Sequence, residues 1–114
     1  MEYQFGMTGF IFSKDHEWKN VGEGVRRKTL GYEKDIMLVA VEFKKGGVGN
    51  LHKHPHKQIS YLVKGSFEVT INDEKKIMKE GDVFLVLPNL EHGVVALEDS
   101  MLIDVFTPYR EDFI

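Results

Sequence analysis

Three histidines and an amide fall within seven residues, His52-Lys53-His54-Pro55-His56-Lys57-Gln58, and a further histidine, His92, follows forty residues after the first. The chain holds five histidines, so four of them belong to this set. In an extended segment alternate side chains share a face, roughly 7 Å apart along the strand. His52 and His54 can therefore lean toward one ion at about 2.0–2.1 Å, the metal–nitrogen distance usual for zinc. A third donor must come from elsewhere in space, and His92 is the obvious source. Gln58 shares parity with His54 but lies about 13 Å further along a straight strand. It reaches the same ion only if the chain bends near Pro55, a residue that cannot donate to a sheet ladder. His56 has ligand parity and is expected to support a ligand or line the rim. His16, between Asp15 and Glu17, reads as a solvated surface residue. These residue types predict a small metal-site protein.

A second set lies near the C-terminus. Leu102, Asp104 and Phe106 alternate with Met101, Ile103 and Val105, so the carboxylate shares a face with leucine and phenylalanine. A carboxylate in an apolar run costs free energy unless it has a partner or a chemical task. The plain alternative is a residue on a solvated sheet face. Arg110 is either a terminal charge beside Glu111 and Asp112 or a planar, bidentate clamp for a ligand carboxylate. Phe106 is by default core. Trp18 and the pair Arg26-Arg27 carry no functional signal.

The elements that must position these groups are short β-prone runs between turn residues. Residues 25–32 follow a Gly-Glu-Gly turn. Residues 36–43 are almost continuously apolar, the mark of a strand covered on both faces. Residues 46–50 (GGVGN) read as a flexible turn before the histidines. Strands are expected at 59–63, at 67–71 with Phe67, Val69 and Ile71 inward, and at 75–78, 83–87, 92–97 and 101–106. Eight or so such strands indicate an all-β antiparallel sandwich or small barrel. No segment sustains a 3.6-residue apolar period.

At 114 residues the chain is expected to be a single domain, 1–114. Hydrophobic residues at 42% and charged residues at 29% are ordinary for a globular protein. A net charge of −3 with interspersed signs argues against nucleic acid or an anionic membrane surface as the main partner. There is no cysteine, so any metal must be held by nitrogen and oxygen. Residues 1–12 show no basic n-region and no long apolar run, which predicts neither a secretory signal nor a membrane span, and a cytoplasmic location.

The histidine spacings match a known pattern. Gly46, five residues, His52, one, His54, three, Gln58, six and Gly65 form one cluster; Gly81, ten residues and His92 form another. Together they resemble the two signature motifs of the cupin superfamily, whose double-stranded β-helix (jelly-roll) barrel binds a divalent metal. Three positions depart from the motif: Gln58 replaces a glutamate, Leu87 with Pro88 replaces a proline, and Asn89 replaces a glycine. The stretch 52–65 (HKHPHKQISYLVKG) and the tail 102–113 (LIDVFTPYREDF) look like the KdgF-type cupins of pectin and alginate breakdown. These convert 4,5-unsaturated monouronates to linear 5-keto-4-deoxyuronate.

The resemblance implies metal ligation by His52, His54, Gln58 and His92, with Asp104, Phe106 and Arg110 around an anionic sugar. A divalent transition metal (Ni, Zn, Fe or Mn) is implied, and the nitrogen-rich set does not distinguish among them. With only neutral ligands the ion keeps its full charge, which favours Lewis acidity over oxygen chemistry. The alternatives are a cupin dioxygenase or oxidoreductase and a non-enzymatic small-molecule binding module. A homodimer is expected.

Overall fold

The computed structural model describes residues 9–114. Most of the stretch read for targeting signals therefore lies outside the described residues. Ten strands are described: β1 (Lys19–Gly22), β2 (Val25–Glu33), β3 (Ile36–Phe43), β4 (Val48–His52), β5 (Lys57–Lys64), β6 (Ser66–Ile71), β7 (Glu74–Lys79), β8 (Val83–Val86), β9 (His92–Ala96) and β10 (Ser100–Thr107). Single 3-10 turns sit at Ser13–Asp15 and Glu111–Phe113. The strands form a six-stranded sheet, β1-β2-β3-β10-β5-β8, and a four-stranded sheet, β4-β9-β6-β7. Every pairing is antiparallel.

The inward face of the large sheet follows from the two-residue period. On β10, Leu102, Asp104 and Phe106 are buried, while Met101, Ile103 and Val105 are only partly covered. Register then lines up rows across the sheet, because residues directly opposite one another share a face. Asp104 stands opposite Val39 on one side and Ser60 on the other; Phe106 stands opposite Met37 and Gln58. Arg27 stands opposite Val41, which faces Leu102.

Two apolar clusters flank these polar residues. The larger contains Phe43, Leu62, Phe67, Phe84, Val86 and Leu102, with Phe43 and Phe67 edge to face at 5.0 Å. The smaller contains Met37, Val39 and Phe106. Gln58, Ser60 and Asp104 are all buried. A polar layer is thus set into the barrel between two hydrophobic ones.

Three expectations are corrected. β3 is not covered on both faces: Ile36 is 51% and Leu38 37% exposed. Its outward residues belong to a sheet face that also exposes Ile59, Tyr61, Val63, Val83 and Leu85, so an apolar run need not mean two-sided burial. Residues 46–50 are not simply a flexible turn, because residues 48–52 form β4. Gly47, Gly49 and Gly93 serve close approach: a Cβ on Gly93 would stand 2.7 Å from the Gly49 carbonyl. Finally, β1 and β4 bring the number of described strands to ten. β1 (Lys-Asn-Val-Gly) is exposed at every residue, so its sequence carries no burial pattern to read.

Candidate metal centre

β4 and β9 pair so that His52 is directly opposite His92, with a register shift between Gly49 and His52. Such irregularities re-aim side chains beside functional sites. His54 lies in the loop after β4, and the bend at Pro55-His56 returns the chain into β5 at Lys57. Gln58, the second residue of β5, is brought back to His54 by that bend. One ring nitrogen from each of His52, His54 and His92 lies within 4.8 Å of the other two. Gln58 Oε1 is 2.9 Å from His54 Nε2 and 3.2 Å from His92 Nε2. His92 and His54 are buried, while His52 opens to the surface.

Backbone carbonyls fix the tautomers. Nδ1 of His52 donates to the Asn50 carbonyl at 2.7 Å, Nδ1 of His54 to that of His56 at 3.1 Å, and Nδ1 of His92 to that of Leu90 at 2.9 Å. A carbonyl can only accept, so each Nδ1 carries the proton and each Nε2 presents its lone pair. Burial pushes His54 below the ordinary histidine range and His92 down to about 4, so neither gains a second proton at neutral pH.

The amide of Gln58 is fixed in the same way. Its Nε2 donates to Ser60 Oγ at 2.9 Å, and the Ser60 hydroxyl donates to Asp104 Oδ1 at 2.5 Å. Gln58 Oε1 must therefore face the imidazoles. Lone-pair atoms thus meet at hydrogen-bond distance with no proton between them, an arrangement that a cation resolves. All the converging donors are neutral nitrogen or oxygen, which fits a divalent transition ion. The three-histidine group is compatible with such a metal.

Asp104 is a buried carboxyl beside the cluster. Burial pushes its carboxyl up to about 6, against the opposing effects of the Ser60 hydrogen bond and the Arg110 charge. Phe106 packs edge-on against His54 at 5.6 Å. Arg110 is not a free terminal charge: its side chain is only 11% exposed. Its guanidinium lies over Phe106 and Phe113, at 5.2 and 4.1 Å. Its Nε and Nη2 grip Asp112 at 3.2 and 2.7 Å, so that edge of the guanidinium is already paired. His52, Gln58, His92, Asp104, Phe106 and Arg110 line one cavity of about 280 Å³.

Comparison with known proteins agrees with this architecture. Residues 39–106 match the family model described as a cupin domain. The chain is 44% identical over 110 residues to the pectin degradation protein KdgF of Dickeya dadantii (strain 3937), covering 95% of this chain and 100% of that protein. The chain is a cupin of the KdgF type. The structure of KdgF from Halomonas sp. superposes with a TM-score of 0.90 at 41% identity, covering 95% of this chain and all of that one. An RmlC-like cupin from Shewanella frigidimarina NCIMB 400 gives 0.90 at 39% identity, covering 95% and 97%.

Within this cupin one departure from the superfamily motif, Asn89, has a physical explanation. Asn89 holds φ +65°, a left-handed conformation that asparagine tolerates better than most residues. Its backbone N–H donates to the His54 carbonyl at 2.8 Å and ties the β8–β9 turn to the ligand loop. The His56 ring is turned away from the three-nitrogen cluster and hydrogen-bonds the Tyr109 carbonyl at 3.2 Å; its backbone carbonyl is what supports His54.

Sequence reasoning missed Ser60 and Arg27, which also lines the cavity. A signal for Ser60 was present. It shares inward parity with Gln58 and Leu62, where a small hydroxyl among apolar neighbours invites a search for its partner.

Proposed function

We propose that this cupin converts 4,5-unsaturated monouronates to linear 5-keto-4-deoxyuronate. The observation that carries the reading is the buried Asp104, tied through Ser60 to Gln58, in the same cavity as the histidine cluster. The similarity to pectin degradation protein KdgF supports it.

The reaction is an isomerisation. A proton leaves the anomeric hydroxyl, the C1=O bond forms as the bond from C1 to the ring oxygen breaks, and a proton adds at C4 of the resulting enolate. Atoms balance without an oxidant. Asp104 takes the first proton and returns one to C4, a role suited to a carboxyl whose pKa is raised toward the working pH. A divalent ion held by His52, His54, Gln58 and His92 would supply Lewis acidity toward the sugar's oxygens. Phe106 packs against the ring, and Arg110 adds positive charge for the substrate's carboxylate. The cavity, at about 280 Å³, suits a monosaccharide rather than a polymer segment.

Among the described residues no helix is long and apolar enough to cross a membrane. A cytoplasmic location is part of the proposal. A second copy of the chain is the proposed partner for the apolar outer face of Leu38, Ile59, Tyr61 and Leu85, since homodimer interfaces are the more apolar class.

The test is anaerobic incubation with an unsaturated monouronate, following the C4=C5 absorbance before and after chelation. Loss of absorbance that stops on chelation and returns with a divalent ion is the expected result. Oxygen consumed in proportion to substrate would point to a dioxygenase instead.

A further inference from the structure

Arg27 lies on the inward face of the six-stranded sheet, in the row next to Asp104, and lines the cavity of the histidine cluster. Its guanidinium stands 3.7 Å from the centre of the Phe113 ring, and that of Arg110 stands 4.1 Å from the same ring. Asp112 is the carboxylate paired with this couple, and it grips Arg110 at 2.7 Å. Among the described residues the Arg27 side chain has no hydrogen bond or ion pair. Among the described residues Asp112 is the one carboxylate ion-paired with either guanidinium, while Asp104, whose carboxyl also feels the Arg110 charge, is held by Ser60. Burial and the charge of Arg110 both disfavour the cationic form of Arg27. A second carboxylate would relieve that repulsion and find an open planar fork.

We infer that Arg27 is the principal contact for the carboxylate of the sugar acid, with Arg110 held beside it by Asp112. This rests on the reading of the site as one for uronates, and it makes Arg27 the residue that selects acids over neutral sugars. Phe113, touched by both guanidiniums, holds Arg27 in place by stacking.

The test compares metal-loaded wild type, Arg27→Gln and Arg27→Lys on an unsaturated monouronate and on its methyl ester. For Arg27→Gln, kcat/KM on the acid should fall about 10-fold or more, chiefly through KM, as expected for lost binding to a charged partner. Turnover of the ester should stay near the wild-type level, which also shows that the variant is folded. Arg27→Lys should fall between, because it keeps charge without the fork. Equal losses on acid and ester, or no loss on the acid, would overturn the inference while leaving the reaction standing.

A binding arm needs no turnover: titration of the same proteins with galacturonate and with galactose, followed by NMR shifts. Wild type should prefer galacturonate, and Arg27→Gln should lose that preference. If wild type turned over neither uronate nor ester, the reaction would be wrong, and this arm alone would decide the role of Arg27. An unchanged preference in Arg27→Gln would overturn it.

Discussion

Ser60 donates its hydroxyl proton to Asp104 Oδ1 across 2.5 Å while its oxygen accepts from Gln58 Nε2 at 2.9 Å. One buried hydroxyl thus couples the acid of the site to the amide that faces the histidines. Removing it frees the Gln58 amide to rotate and leaves the carboxylate without the Ser60 donor. Ser60→Ala should therefore weaken metal affinity on the order of 10-fold, the scale of losses when a ligand's supporting partner is removed. Competition with a chromophoric chelator measures this. Unchanged affinity would show that Gln58 is oriented by something other than Ser60.

His92 sits opposite His52 and within hydrogen-bond distance of Gln58 Oε1. His92→Ala removes one of three imidazoles and should cost at least about 10-fold in metal affinity. Elemental analysis after dialysis against a weak chelator gives the answer. Equal retention by variant and wild type would rule out this ligand set.

Asp104 makes the stability of the metal-free protein depend on pH. Its folded-state pKa, about 6, lies above the ordinary 3.8 because burial favours the neutral acid. The contribution is fully present below about pH 4 and is lost as pH rises through about 6. Asn at this position is neutral at every pH. The Tm of Asp104→Asn relative to wild type should therefore rise between about pH 4 and pH 7. Thermal unfolding of both metal-free proteins at the two pH values checks it, and a constant difference would contradict the burial argument.

Much of the site was legible because histidine is scarce and its spacings are specific. The bend that brings Gln58 back to His54 was expected from Pro55, and the inward parity of Asp104 from the alternation along residues 101–106. What escaped notice was set by long-range packing. Arg27 acquires meaning only when β2 lies next to β3 and Phe113 folds over it. Arg110 was read as a terminal charge beside Glu111 and Asp112 or as a clamp for a ligand carboxylate, and only the folded tail shows its Nε–Nη2 edge paired with Asp112. The exposed side of β3 was misread because an outward apolar face looks, in sequence, like a buried one.

The most direct test of the central claim is the anaerobic rate of C4=C5 absorbance loss in Asp104→Asn against wild type, at matched metal content. Asn keeps the shape and can still accept from Ser60, but it cannot take up the anomeric proton. The rate should fall by roughly 10²–10⁴, the usual share of general acid–base catalysis, with metal content unchanged. A near-wild-type rate in Asp104→Asn would contradict the assignment of this carboxyl as the group that moves protons.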